Sequence, residues 1–316
     1  MNDLINGIHH ITAIASDPQR NLDFYTRVLG LRMIKLTVNF DDPGTYHFYF
    51  ADETGSPGTV LTFFPFPSTR RGQVGAGQVG VISFAVPEHT LDEWQRRFAD
   101  LNISTQGIQE RFGEQVLPFQ DPDGLRLKLV GVPYAGQIPA WEAGPLQVDM
   151  AIRGFHGATM FVGDLDGSAR LLEQVFGFER LHETGSHLRL NAPHAQLGSL
   201  IDLIQTDQAG LGGAGTNHHI AWRTPGDADQ LAWQEKLRSL GYHVTPVQDR
   251  QYFHSIYFRE DSKILYEIAT DGPGFTIDES IESLGSQLRL PPWFEADRES
   301  IQAQLPVLQL LITVNH

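Results

Sequence analysis

The chain has 316 residues, 41% of them hydrophobic and 19% charged, with a formal net charge of −15 and no cysteine. That length points to two domains of about 150 residues each rather than one core. The acidic balance argues against nucleic acid or an anionic membrane surface as partner, since both need a basic face. The missing thiols exclude disulfides, thiolate metal sites and cysteine nucleophiles. No apolar run approaches the roughly 18 residues of a membrane span, and the first residues lack a signal peptide's basic and apolar regions. No membrane partner and a reducing cytoplasm are the expectations.

A first strand is expected over residues 6–14. Asp17 then reads as a helix N-cap, with Pro18 at the first helical position, where no N–H is needed. Leu22, Tyr25, Val28 and Leu29 form an apolar stripe, and Gly30 ends the helix. Strands over Arg32–Asn39, Thr45–Phe50 and Thr59–Phe64 complete a β-α-β-β-β unit. After a loop over Ser68–Gly77, a second unit brings a strand at Val79–Val86, a helix at Leu91–Leu101 and strands ending in Leu125–Val130.

The pattern repeats. Gly30 after Val28-Leu29 recurs as Gly177 after Val175-Phe176. Gly75-Ala76-Gly77 with Pro87 recurs as Gly213-Ala214-Gly215 with Pro225. Phe119-Gln120-Asp121 recurs as Phe258-Arg259-Glu260. An internal repeat decides the architecture before other signals do. It gives an α+β fold of four βαβββ modules, in an N-terminal domain 1–145 and a C-terminal domain 146–275. A linker rich in Gly, Pro and Ala, Gly131 to Gly144, joins them, and a tail 276–316 packs on the body.

Three strands carry the chemistry. Gly7-Ile8-His9-His10-Ile11-Thr12 and Thr216-Asn217-His218-His219-Ile220 each hold a histidine pair. Ile264-Leu265-Tyr266-Glu267-Ile268-Ala269 holds one carboxylate among apolar neighbours. Strand alternation places His10 with Ile8 and Thr12, His219 with Asn217 and Ala221, and Glu267 with Leu265 and Ala269. In the register of the repeat His10 stands opposite Gly157, His219 opposite Val81 and Glu267 opposite Lys128, whereas His9 recurs as His156. Residues needed only for packing would recur at equivalent places, so the unrepeated His10, His219 and Glu267 are the candidate metal ligands. The plain alternative for each is a satisfied core polar residue or a group on an edge strand. Two imidazoles and a carboxylate with open positions suit non-haem iron(II), and zinc accepts the same groups.

Ahead of Glu267, Arg250 could bind an anionic oxygen and Tyr257 could donate a proton. Their plain alternatives are a surface ion pair and a half-buried strand aromatic. His182, His187, His243 and His254 show no partner pattern. The aromatic cluster Tyr46, Phe48, Tyr49, Phe50, Phe63 and Phe64 reads as core. The glycine run 210–215 precedes a strand, so it lacks the context of a phosphate loop.

On these residues the chain resembles the vicinal-oxygen-chelate superfamily of glyoxalase, bleomycin-resistance and extradiol dioxygenase proteins. It is most similar to its bacterial hydroquinone ring-cleaving dioxygenases, through Gly7–Thr12, Phe48–Pro65, Asn217–Ile220 and Leu290-Pro291-Pro292-Trp293. The resemblance implies two tandem vicinal-oxygen-chelate domains and Fe(II) on His10, His219 and Glu267. It further implies a site where the two halves meet, with His9, His218, Arg250 and Tyr257 against substrate or oxygen and Thr12 as a weaker candidate. Gly157 departs from the catechol extradiol pattern, in which the second half supplies all three ligands. The implied reaction cleaves a substituted hydroquinone or related dihydroxybenzene, with a small aromatic substrate and dioxygen as partners and homo-oligomerisation left open. Two other readings stand beside it. A metal-dependent glyoxalase-like isomerase or lyase would show a fourth protein ligand, and Lys128 occupies the symmetric place. A metal-free binding protein of the same fold would not need the triad.

Overall fold

The computed structural model describes residues 4–310. Each quarter of the chain folds as a strand, a helix and three further strands. The first module is β1 (Ile8–Ala15), α1 (Pro18–Asp23), β2 (Arg32–Asn39), β3 (Asp42–Ala51) and β4 (Val60–Pro65). The second is β5 (Gln78–Pro87), α2 (Leu91–Asp100), β6 (Gln109–Arg111), β7 (Glu114–Gln120) and β8 (Arg126–Val132). The third is β9 (Gly154–Val162), α3 (Leu165–Arg170), β10 (Glu179–Thr184), β11 (His187–Asn191) and β12 (Leu200–Gln205). The fourth is β13 (Thr216–Thr224), α4 (Asp227–Ser239), β14 (Gln248–Asp249), β15 (Phe253–Arg259) and β16 (Leu265–Pro273). A short helix, α5 (Arg298–Gln304), closes the described tail.

Local chemistry accounts for these elements. Asp17 accepts the Arg20 backbone N–H at 2.8 Å and Pro18 opens α1, while Asp164 caps α3 through Gly167 at 2.9 Å. Both helices widen into a π-type turn, over Phe24–Val28 and Leu171–Val175, and each stops at a glycine in the left-handed region, Gly30 and Gly177. In β3 and β4 the side chains alternate. Phe48, Phe50, Leu61 and Phe63 join the core under α1, where Tyr25 stacks on Phe50 and Phe63. The intervening His47, Tyr49 and Phe64 face a cavity on the other side.

The modules are tandem in sequence, and the sheets pair them crosswise. One eight-stranded sheet runs β14-β15-β16-β13-β1-β4-β3-β2, from the fourth and first modules. The other runs β10-β11-β12-β9-β5-β8-β7-β6, from the third and second. The central joints are antiparallel, β1 with β13 and β5 with β9. Ladder partners reproduce the register of the repeat: Thr12 faces His219 as Thr159 faces Val81, and Ala221 faces Glu267 as Ser83 faces Lys128.

Two expectations change. The alternation in β1 breaks at a register shift between Ile8 and His10, so Ile8 joins the main core while Ala221 and Ala269 lie in a separate cluster. The linker does not begin at Gly131, because β8 continues to Val132 and Pro133–Gln137 makes a turn with Ala135 buried. Gly131 serves close packing, since a Cβ there would meet the Glu88 backbone at 3.0 Å. The two glycine-rich loops pair with each other. Gln73 bridges Leu211, Arg71 bridges Ala214, and Ala76 bridges Ala209, and a Cβ on Gly75 would stand 2.4 Å from the Gln208 carbonyl.

Gly157 is the other informative glycine. A Cβ there would lie 2.0 Å from the Leu200 carbonyl oxygen, so the third module has no room for a ligand where the first has His10. Gly157→Ala should therefore lower stability by about 1–3 kcal/mol, the scale of overpacking a close contact. Urea unfolding measures this, and an unchanged midpoint would contradict the close approach.

Candidate metal centre and its cavity

The β1–β13 joint sets the site. His10 faces Ala221 across it, and Ala221 in turn faces Glu267 on β16. His219 lies two residues before Ala221 on the same face. The three side chains thus converge from the first and fourth modules, where the two halves of the chain meet. His10 Nε2 lies 3.3 Å from His219 Nε2, and Glu267 Oε2 lies 3.4 Å and 2.9 Å from the two. All three residues are buried, Glu267 completely. Donors about 2.1 Å from a single ion, at angles of about 90–110° to one another, stand roughly 3.0–3.4 Å apart. The spacing therefore fits one ion.

The hydrogen bonds around the triad fit it too. Glu267 Oε1 accepts from the Ser255 hydroxyl, while Oε2 is buried with no hydrogen-bond partner. An orphaned carboxylate oxygen is costly in such a place unless a cation meets it. Both histidines bind backwards through Nδ1, His10 to His9 Nδ1 at 2.9 Å and His219 to His218 Nδ1 at 2.8 Å. With His9 Nδ1 as the acceptor of that pair, His10 carries its proton on Nδ1 and keeps a lone pair on Nε2. That is the tautomer a metal ligand needs. Burial, then the neighbouring histidine, lowers His9 to about 3 and His218 to about 4, so both are neutral.

The cavity over the triad measures about 260 Å³, room for a substituted benzene ring, since a cavity of about 150 Å³ already takes benzene. Arg250 and Tyr257 line it. Arg250 donates from Nε to the Tyr257 hydroxyl oxygen at 3.1 Å and reaches Asp41 at 3.2 Å. Burial, then the Glu267 charge, pushes the Tyr257 hydroxyl well above its ordinary value. Arg250 stays cationic because Tyr257 and Asp41 outweigh its burial. His218 opens onto the cavity beside Phe64. His9 does not line it and sits behind His10, packed on Phe253.

The sequence reading missed His47 and Tyr49. A hydrogen-bonded chain runs from Tyr49 to His47 at 3.0 Å, to Thr62 at 2.9 Å, to Thr12 at 2.8 Å and to His219 Nε2 at 2.8 Å. The usable signal was the alternation of Tyr46-His47-Phe48-Tyr49-Phe50, which sends His47 and Tyr49 away from the core face. Phe64 thus leaves the core role given to its aromatic cluster, while Tyr49 keeps it, buried in the smaller cluster as it borders the cavity. His254 pairs with Asp227 at 2.6 Å.

Comparison with known proteins bears on the family and the fold. The family model of the Glyoxalase/Bleomycin resistance protein/Dioxygenase superfamily matches twice, over residues 7–129 and 154–277. MhqO of Bacillus subtilis, named as a ring-cleaving dioxygenase, is 50% identical over 95% of this chain and 95% of its own. The chlorohydroquinone/hydroquinone 1,2-dioxygenase of Sphingobium indicum is 30% identical over 94% of this chain and 95% of its own. A crystal structure from Bacillus subtilis, of a chain named as a dioxygenase, superposes with a TM-score of 0.93 at 48% identity, over 97% of this chain and 98% of that one. Glyoxalase I from Zea mays shares the fold alone, with a TM-score of 0.62 at 13% identity over 84% of this chain and 92% of that one.

His9→Phe keeps a ring of similar size behind His10 but removes the acceptor of its Nδ1–H. Metal affinity should fall about 10–100-fold, the usual effect of losing such a partner. Competition with a chelating dye would measure it, and unchanged affinity would remove the orienting role.

Proposed function

This chain belongs to the Glyoxalase/Bleomycin resistance protein/Dioxygenase superfamily and is a ring-cleaving dioxygenase, and we propose that it is iron(II)-dependent and acts on a substituted hydroquinone. The observation that carries the proposal is the convergence of His10 Nε2, His219 Nε2 and the orphaned Glu267 Oε2 on one point at the floor of a ring-sized cavity. Among the described residues this is the group of side chains spaced to hold an ion. The other carboxylate of the cavity, Asp41, is exposed and turned to Arg250, so it offers no fourth ligand of the glyoxalase kind. Three protein ligands leave positions free for two reactants. The hydroquinone relative supports the substrate class.

Iron(II) on the triad would supply open coordination positions and a centre that can exchange electrons with dioxygen. The chain's own groups do the rest. Phe64, Phe253 and Tyr49 confine a flat ring above the triad. Tyr257 keeps its proton and receives the Arg250 N–H on its oxygen, so its own O–H is free to donate into the cavity. The cationic Arg250 stabilises negative charge developing on oxygen. His218 accepts from His219 on Nδ1 and therefore offers Nε2–H to the cavity, a donor for substrate or oxygen. A hydroquinone's hydroxyls are para, so only one reaches the triad. The other needs a partner elsewhere in the cavity, whose lining includes His47 and Tyr49 on β3.

Protein purified without oxygen should hold about one iron per chain, as one triad requires, and His219→Ala should lose both iron and activity. Full metal occupancy in that variant would overturn the ligand set. Arg250→Ala and Tyr257→Phe should keep the iron and turn over about 10²–10³-fold more slowly, the scale of removing one charge-stabilising donor. Metal loss, or unchanged kinetics, would remove those roles. Oxygen uptake with hydroquinone, methylhydroquinone, chlorohydroquinones and catechol at matched iron loading tests the substrate. A hydroquinone should give the highest kcat/KM, and a preference for catechol over all of them would sink the substrate assignment while leaving the iron site.

A further inference from the structure

The second sheet encloses a larger hollow, of about 1190 Å³. Its floor is the register image of the triad. Where the first sheet lines up Val60, His10, Ala221, Glu267 and Tyr257 on adjacent strands, the second lines up Leu200, Gly157, Ser83, Lys128 and Pro118. His219 is matched by Val81. No donor of the triad remains, and an ammonium stands at the position of the carboxylate.

Lys128 is the uncommitted charge of this hollow. Its side chain is 15% exposed, and the nearest carboxylate oxygen among the described residues, Asp202 Oδ2, is 3.9 Å away. That distance is beyond a hydrogen bond. Asp202 is itself taken by Arg189, through Nε at 2.7 Å and Nη2 at 2.9 Å, and Arg189 Nη1 holds Glu114 at 2.9 Å. Asp121, a second carboxylate of the lining, accepts the backbone N–H groups of Asp123 and Leu125 and the Tyr25 hydroxyl, and the third, Glu110, is exposed. An ammonium has three protons to place, and leaving them unmet at the floor of a hollow is costly. Arg111 and Arg126 add exposed positive charge to the lining. Four cationic side chains against three carboxylates line a hollow in a chain of net charge −15. The walls are apolar and partly aromatic, from Val81, Phe112, Phe161 and Ile204.

We propose that this hollow is a second ligand site, which takes a small organic acid with an aromatic or unsaturated body. Its carboxylate meets Lys128, and its flat body lies against Phe112, Phe161 and Ile204. A single negative charge suits the floor better than a phosphate dianion, because Asp202 stands close behind the ammonium. The site is independent of the metal chemistry on the other sheet.

The test is calorimetric titration of the full-length, iron-loaded protein with benzoate, and with phenol and inorganic phosphate as comparison probes. Benzoate should bind saturably below about 10 mM, a weak affinity in keeping with one ion pair and one ring. Phenol and phosphate should bind at least tenfold more weakly. His219→Ala, which removes the metal site, should leave benzoate binding unchanged. Lys128→Met should weaken it at least tenfold and leave ring cleavage intact, and Lys128→Arg should restore most of it. Ile204→Trp fills the hollow while keeping the ammonium, and should also block benzoate should Lys128→Met fold poorly. No saturable binding would overturn the proposal. So would binding that survives both Lys128→Met and Ile204→Trp, binding lost in His219→Ala, or phenol or phosphate bound as tightly as benzoate.

Discussion

The antiparallel joint of β1 with β13 is the constraint on which the site depends. It joins the first module to the last, and it places His10 and His219 on one face although 209 positions separate them. A slip of one residue would turn either histidine into the core. Several contacts hold the register. Arg223 donates its backbone N–H to Gly7 at 3.0 Å, Asn6 donates to Arg223 at 3.3 Å, and Gly215 donates to Ile14 at 2.9 Å. The paired glycine-rich loops reach the same strand end through Gly215. Closely packed backbones therefore fix the spacing of the two imidazoles, before any ion adds its own constraint.

A buried carboxylate facing two imidazoles must be kept in one arrangement, and the surroundings do this in layers. Ser255 takes one oxygen of Glu267. His9 and His218 set the tautomers of the inner histidines. Phe253 packs on both His9 and His10, with ring centroids 5.3 Å and 4.9 Å away. Behind Phe253 lies the tail. Tyr252 bonds Asp278 at 3.1 Å, and the fully buried Lys35 bonds Asp278 at 2.6 Å and also Glu279, with its ammonium over the Tyr252 ring. Residues 275–290 are thus tied through buried charge to the wall that backs His10. A buried lysine with two carboxylates adds little net stability, because desolvation offsets most of the attraction. Breaking it would leave charge uncompensated beside the site.

Much of this was legible in the sequence, for physical reasons that differ by residue. The module pattern could be read because Gly30 and Gly177 end equivalent helices and Asp17 caps the first. His10, His219 and Glu267 stood out because the repeat did not reproduce them, and the ladders now give that register directly. The crosswise pairing of modules was not legible, since the first strand of a module can pair with that of either module of the other half and only the packed whole decides. His47 and Tyr49 were hidden by composition. In an aromatic stretch the apolar signal masks the alternation that sends every second side chain to the cavity. Ile8 was misplaced because a bulge adds a residue that no period predicts.

The two sheets show what duplication permits. Both carry a row of five residues across a central joint, with the same partners in the same order, so strand register does not distinguish them. What differs is the backbone approach at Gly157 and side-chain volume and charge at a few positions. The Leu200 carbonyl crowds Gly157 so closely that no ligand side chain fits there, whereas the first sheet seats His10 at the equivalent place against Val60. Once one of three ligands is lost, a buried carboxylate in the row would be left without its cation and would cost several kcal/mol. Lys128 in its place reverses the sign, and Asp202 and Arg189 form an ion pair where the first sheet has Thr62 and Tyr49. The charge pattern of the second sheet thus follows from a single steric fact at Gly157, and the same scaffold is left with one concave face suited to a metal ion and another that presents an ammonium.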